Sequence, residues 1–279
     1  MRPEQWIKNG FVLVPLFFTP SAIDWRNGVL GILGAVSFCA LSSSVYIFND
    51  YMDRASDRQH PTKRARPLAA GTVAVPTALT CLAALGLGGL ALALLLSPAF
   101  GLIAAAYLAV NLLYSVRLKH VAIIDVLVVT LGFILRVKGG AELVDVTLSV
   151  WLVVMTGLLA LFLALAKRRD DLVLGLGGAQ RGSMEGYNEP FLNAALTMVL
   201  AALLVAYLIY TTDENVIARF HTDRLVLTTP FVVAGLLRYL QITLVEHRSG
   251  SPSAIVLTDR FLIATVLGWL VTFALLLYA

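Results

Sequence analysis

Charge is scarce in this chain. Of its 279 residues, 14% are Asp, Glu, Lys or Arg and 59% are apolar. A soluble domain carries about 25% charged and about 45–50% apolar residues. Mean hydropathy is +0.84, so a soluble fold is excluded and an all-α integral membrane protein is expected. Cysteine is scarcer still. Cys39 and Cys81 both lie in apolar runs, which leaves no disulfide framework and no metal-ligand spacing. His60, His120, His221 and His247 fall in loops or at helix ends, again without ligand spacing. The chain has no nucleophile elbow, glycine-rich nucleotide loop or zinc motif. Its basic residues suit phosphates or lipid headgroups, and nothing in their pattern suggests nucleic acid. Internal repeats are absent too, which argues against a carrier of anions or lipids built from matched halves.

What is present is a series of apolar runs. Crossing about 30 Å of hydrocarbon takes roughly 20 residues, and eight runs qualify: Asn27–Asp50, Val75–Leu96, Ala99–Tyr114, Val121–Ala141, Leu148–Ala166, Phe191–Tyr210, Leu225–Val245 and Ile255–Tyr278. A shorter run, Trp6–Thr19, is interrupted by Pro15 and counts as a ninth span. It is not read as a signal peptide, because Glu4 precedes it and no small-x-small cleavage site follows. Backbone facing lipid must satisfy itself, and no barrel-type alternation is visible, so every span is expected to be a helix. With no extramembrane domain, residues 1–279 form one transmembrane domain. In the third span, Gly86-x-Gly88-Gly89 reads as close helix packing.

Nine spans place alternate loops on the side of the N-terminus. That side holds Arg2, Lys8, Arg54, Arg58, Lys63, Arg64, Arg66, Arg117, Lys119, Lys167, Arg168, Arg169, Arg181 and Arg248. The other side holds Asp24, Glu142, Asp145, Asp213, Glu214 and Asp223. Positive residues stay inside, so the N-terminus and the basic loops are expected in the cytoplasm and the C-terminus outside.

The stretch N-D-Y-M-D-R-A-S-D-R-Q-H-P-T-K-R-A-R-P, Asn49 to Pro67, concentrates the charge. Asp50, Asp53 and Asp57 stand at i, i+3 and i+7, which puts them on one face of a continuing helix. Topology needs bases and gains little from acids in register. Carboxylates held together call for a cation, and Mg²⁺ takes oxygen ligands from a few carboxylates, water and substrate phosphates. Asn49 adds a carbonyl oxygen, and Lys63, Arg64 and Arg66 suit phosphate oxygens. The reading is a magnesium–diphosphate site. Two further loops carry unusual charge: Tyr114 to His120, which leads to Asp125, and Ala166 to Leu172, with three bases followed by two acids. Arg136 and Lys138 fall inside an apolar run. An ionisable group at that depth is a functional candidate, set against a structural pair with Glu142 or snorkelling.

The pattern N-D-x-x-D-x-x-x-D followed by H-P-x-K-R-x-R-P-x-x-x-G resembles the first signature of the UbiA superfamily of intramembrane prenyltransferases. The likeness runs through the whole chain. It implies about nine helices around a central cavity open to lipid, with aspartates holding Mg²⁺ and a diphosphate at the cytoplasmic end. Members that prenylate aromatic acceptors carry a second D-x-x-x-D motif after the sixth span. Here that position holds Lys167-Arg168-Arg169-Asp170-Asp171. Together with R-P-x-x-W-x-K-N, Y-S-x-x-L-K-x-x-x-x-x-D and G-F-x-x-R, this is similar to the branch containing decaprenyl-phosphate 5-phosphoribosyltransferase. Asp171 stands where that branch commonly shows glutamate.

The resemblance implies a transferase of the bacterial inner membrane that moves 5-phosphoribose from 5-phosphoribosyl 1-diphosphate to a polyprenyl phosphate, for synthesis of a cell-envelope arabinose donor. It implies Asp50, Asp53, Asp57 and Asn49 as catalytic and Mg²⁺-binding. The phosphate-binding set would be Lys8, Arg54, Lys63, Arg66, Tyr114, Arg117, Lys119, Asp125, Arg136, Lys167, Arg168, Arg169 and Asp171. Prenyl transfer from a prenyl diphosphate to an aromatic or lipid acceptor is the alternative.

Overall fold

The computed structural model describes residues 2–59, 63–175, 182–248 and 252–278. His60 and Arg181 lie outside the described residues. The described residues contain helices and no strands, as lipid-facing backbone requires. Among the described residues seven helices are long and apolar enough to cross a membrane, and the protein is a multi-pass membrane protein. The chain divides into two compact units, residues 1–148 and 149–279.

The first unit opens with a 3₁₀ helix, Pro3–Leu13, and one helical turn, Val14–Phe17. Then come α1 (Trp25–Met52), α2 (Arg54–Gln59), α3 (Val75–Leu96), α4 (Pro98–Val116) and α5 (Ile124–Leu143). Local chemistry sets the starts. The Asp24 carboxylate accepts from Asn27 N at 2.7 Å to cap α1. Ser97 caps α4, where Pro98 occupies a position whose N–H would lack a partner anyway. Phe38, Leu41, Ala93, Phe100, Ala104 and Tyr107 form the core, joined by Val12 and Leu143. Leu87, Leu95 and Leu102 point outward, where lipid takes the place of water as the solvent.

Glycine lets two elements approach closely. A Cβ on Gly140 of α5 would lie 1.9 Å from the carbonyl oxygen of Val12, so the N-terminal segment lies directly on that helix. A Cβ on Gly89 would meet Leu41 and Ala40 at 3.0 and 3.1 Å, and one on Gly86 would meet Ser44 Oγ at 3.0 Å. Ser37 and Ser44 of α1 donate to carbonyls of α3 at Gly89 and Leu82. The packing read into this glycine run holds at Gly86 and Gly89. Gly88 meets nothing within 4 Å.

The second unit consists of α6 (Val150–Val173), α7 (Glu189–Thr212), α8 (Thr229–Leu244) and α9 (Arg260–Tyr278). Short helices at Glu214–Phe220 and Pro252–Thr258 join them, and a 3₁₀ segment Arg224–Thr228 leads into α8. Asn188 caps α7 by accepting from Phe191 N at 2.8 Å. Phe162, Leu192, Leu196, Leu225, Ile242 and Phe273 are fully buried. The Tyr207 hydroxyl, which pairs with Thr228 and accepts from Trp269 Nε1, is the polar tie among them.

Among the described residues the count of nine spans is not confirmed. The Val121–Ala141 run does form a helix, α5, but Asp125, Arg136, Lys138 and Glu142 are spread along it so that every 18-residue stretch holds at least three charges, whereas in α6 the charges are gathered at one end. The Trp6–Thr19 run is wound mostly as 3₁₀ helix against α1 and α5, with Pro15 inside its terminal turn.

Candidate active site

Asn49 and Asp50 occupy the last turn of α1, which ends at Met52. Asp53 is its C-cap, at φ −89° and ψ 0°, and α2 begins one residue later. The continuing helix expected through Asp57 is therefore interrupted at Asp53. Asn49 Nδ2 donates to Asp53 Oδ2 at 3.0 Å, and Ser56 Oγ donates to the Asp53 carbonyl at 2.8 Å. These side-chain bonds stabilise the kink by competing with the helical pattern.

Each carboxylate meets a base. Asp50 Oδ1 lies 2.5 Å from Arg2 Nη2 and 3.2 Å from Arg66 Nη1. The same Arg66 nitrogen lies 2.7 Å from Asp57 Oδ2, so two carboxylates converge on one positive point. Asp53 Oδ1 lies 2.5 Å from Lys119 Nζ, a contact across 66 positions of sequence.

The scaffold places these bases firmly. Arg66 precedes the turn Pro67–Ala70, whose Leu68 packs with Ile47 of α1 and Ala78 of α3. Arg58 Nε donates to Ala69 O at 3.2 Å and ties α2 to the same turn. Lys119 sits on the 3₁₀ turn Leu118–His120 between α4 and α5 and is 5% exposed. Just beyond it Ile123 adopts φ 70°. A β-branched residue in that region stores on the order of 1–3 kcal/mol of strain, which the flanking helices must hold.

Oxygen is all that Asn49, Asp50, Asp53 and Asp57 offer a metal, and a hard divalent cation takes oxygen. Asp50 and Asp57 already share a cation in Arg66, and Asn49 is bonded to Asp53. As they stand, no three acids, histidines or cysteines among the described residues come together as a metal-holding group. The donor set fits Mg²⁺ by chemistry, with its carboxylates closed onto side-chain bases.

Other expected residues fall elsewhere. Arg54 is exposed, with its guanidinium over the Tyr51 ring at 5.1 Å. Lys63 and Tyr114 are half-buried, Arg117 is exposed and Asp125 is fully buried in the first turn of α5. Lys8 is half-buried beside Asn9 on the N-terminal segment.

Arg136 departs from expectation. Neither snorkelling nor Glu142 accounts for it: Glu142 and Lys138 are exposed, and Arg136 is 5% exposed. Its guanidinium donates to Asn9 Oδ1 at 2.8 Å, Gly132 O at 2.8 Å and Tyr107 OH at 2.9 Å, and lies 4.6 Å from the Tyr107 ring centroid. Neutral acceptors and aromatic faces hold this buried charge, and through Asn9 it clamps the N-terminal segment to α5.

In the second unit, α6 carries Lys167, Arg168, Arg169 and Asp171. Lys167 is half-buried, and Arg168 lies 3.3 Å from Asp171. Arg169 was expected to face phosphate. Instead it donates to Asn193 Oδ1 (2.6 Å), Glu189 Oε1 (2.7 Å) and Thr243 O (2.7 Å), and lies 3.0 Å from His247 Nδ1. Its guanidinium is taken up in joining α6, α7 and the end of α8.

Sequence reasoning missed Arg238, although a base deep in the Leu225–Val245 run was the available signal. Arg238 binds Asp259 at 2.6 Å and Glu246 at 2.7 Å, beside a cavity of about 480 Å³ that Arg248 and Arg260 also line. Glu246 is held below the usual carboxylate range by hydrogen bonding from Arg248, and Asp259 by hydrogen bonding from Arg238. Arg2 enters the sequence reading through its loop charge and the R-P-x-x-W-x-K-N start, not as a site residue.

Residues 10–178 match the UbiA prenyltransferase family. The chain belongs to this family. As a UbiA protein it is a transferase. It is 33% identical to a decaprenyl-phosphate phosphoribosyltransferase of Mycolicibacterium smegmatis over 100% of this chain and 91% of that one. It is also 33% identical to the Mycobacterium tuberculosis protein of the same name, over 98% and 91% of the two chains. Among solved structures, a UbiA homologue of Archaeoglobus fulgidus bound to GPP and Mg²⁺ superposes with a TM-score of 0.73, covering 100% of this chain and 98% of that one. At 19% identity that likeness speaks for the UbiA fold.

Proposed function

We propose that this UbiA protein transfers 5-phosphoribose from 5-phosphoribosyl 1-diphosphate to a polyprenyl phosphate and releases diphosphate. The observation that carries the reading is the end-to-end similarity to decaprenyl-phosphate phosphoribosyltransferases. Cations interleaved with carboxylates at Asp50, Asp53 and Asp57 are what a diphosphate leaving group requires. Prenyl transfer from a prenyl diphosphate, the activity in the family's name, is the competing reading.

Asp50, Asp53, Asp57 and Asn49 would hold Mg²⁺, which when bound neutralises charge on the departing diphosphate. Arg66 and Lys119 donate to diphosphate oxygens. The bond between ribose C1 and the diphosphate oxygen breaks as an oxygen of the lipid phosphate bonds to C1 from the opposite face, with inversion. The acceptor is already ionised, so no strong general base is needed, and the protein contributes positioning and electrostatic stabilisation. Lys167 and Arg168 remain the phosphate-binding candidates of the second unit. The basic loops support a site on the cytoplasmic face of a bacterial inner membrane.

The test supplies membranes containing the protein with Mg²⁺, polyprenyl phosphate and labelled 5-phosphoribosyl 1-diphosphate. Magnesium-dependent label in the lipid phase is expected. No transfer there, alongside transfer from a prenyl diphosphate to a phenolic acid, would overturn the reading in favour of its competitor.

A further inference from the structure

Each aspartate of the cluster already has a cation in contact. Asp50, Asp53 and Asp57 supply three negative charges, and Arg2, Arg66 and Lys119 supply three positive ones in direct contact with them. Arg2 is the unexpected partner. Its guanidinium makes the 2.5 Å contact to Asp50 and lies over the Tyr46 ring, 5.1 Å from the centroid.

Arg2 reaches Asp50 from the start of a pinned segment. Trp6 Nε1 donates to Ser43 Oγ at 3.1 Å, and Asn9 Nδ2 donates to Ser42 Oγ at 3.2 Å. Arg136 holds Asn9 from the other side, and Val12 rests on Gly140. Beyond this pinned stretch the long Arg2 side chain reaches the contact and is 26% exposed.

We propose that Arg2 belongs to the diphosphate site, and that Arg2, Arg66 and Lys119 are held in reserve by the carboxylates until metal and diphosphate arrive together. This rests on the magnesium–diphosphate reading above, and it assigns these side chains an exchange of partners. A divalent cation alone meets carboxylates that already have counterions. A diphosphate alone meets bases that already have theirs. When both arrive, the carboxylates turn to the metal and the three bases to the phosphate oxygens, so no buried charge is left without a partner. Metal and diphosphate therefore bind cooperatively, and linkage requires each to tighten the other by the same factor.

The test is a binding measurement on the full chain in lipid nanodiscs, using Mn²⁺ as the metal probe and inorganic pyrophosphate as the diphosphate. Pyrophosphate should tighten Mn²⁺ binding by about 5–150-fold beyond the Mn²⁺–pyrophosphate association in free solution. Arg2→Gln should tighten Mn²⁺ alone by several-fold and shrink the coupling by a similar factor, while Arg2→Lys should restore both. Lys119→Gln carries the same expectation through Asp53 should Arg2→Gln not fold. Wild-type protein that binds Mn²⁺ equally with and without pyrophosphate overturns the proposal, as do folded charge-removing variants with unchanged affinity and coupling. Because pyrophosphate contains neither ribose nor prenyl group, losing the phosphoribosyl reading would leave this coupling intact. Wild-type protein that transfers phosphoribose yet shows no coupling would overturn the exchange of partners and leave the transfer reading standing.

Discussion

The aspartate cluster of the first unit and Arg169 of the second use paired charge in opposite ways. In the first, each aspartate near the end of α1 faces a base at the tip of a long side chain, and those pairs are the bonds a metal and a diphosphate could exchange. In the second, Arg169 reaches from α6 to two side chains of α7 and to a backbone carbonyl near the end of α8. Charge paired side chain to side chain at the end of a helix can change partners. Charge bonded to amide, carbonyl and carboxylate in several directions holds helices together.

Substitution sets the two regions apart most sharply at Asp53, which has Asn49 and Lys119 as partners. Asp53→Ala should lower turnover by more than about 100-fold, with the protein still extractable and folded by thermal melting. Full activity would remove the aspartate cluster from the chemistry. Arg66→Ala comes next: losing a charged donor to the diphosphate should cut kcat/KM for the donor by about 10–100-fold, read in steady-state kinetics over donor concentration.

Arg169→Gln should reverse that pattern. Breaking a fully buried pair costs about 3–5 kcal/mol, but Glu189 is 48% exposed and water takes over part of its solvation. A loss of about 2 kcal/mol in stability is therefore expected, with both Michaelis constants within about twofold of wild type. A large rise in either constant without loss of stability would return Arg169 to the phosphate-binding set.

The smallest effect is expected at the Arg238 cluster. Glu246 and Asp259 lie below their ordinary values of 4.5 and 3.8. The stability they add is fully present above those values and is lost as pH falls through the lowered ones. Melting temperatures should therefore drop on acidification below about pH 4, and Arg238→Gln should flatten part of that slope. An identical slope in the variant would show that the cluster does not contribute.

Much of the site was legible because charge is expensive in an apolar chain. Asp50, Asp53 and Asp57 stood out against their surroundings, as did Lys119 and Arg66 in neighbouring loops. Less legible was which base meets which acid. Lys119 and Asp53 are 66 positions apart, and no local spacing predicts their contact. Arg136 shows the same limit: its sequence neighbours suggested Glu142 or the membrane surface, whereas the fold brought Asn9 to it from 127 positions away. The helix break at Asp53 was hidden because the i, i+3, i+7 spacing suits a continuous helix and a kinked one alike.

Apolar length and charge scarcity, taken alone, determined that this chain is a multi-pass helical membrane protein with an acid-and-base cluster at the end of one helix. They could do so because transfer free energy depends on residue type, and residue type can be read directly from the sequence. Tertiary structure decided the pairing: that Arg2 closes on Asp50, that Arg66 joins Asp50 to Asp57, and that Arg169 binds helices together. Coulomb energies and hydrogen bonds act over a few ångströms, and those distances exist only once the helices have packed.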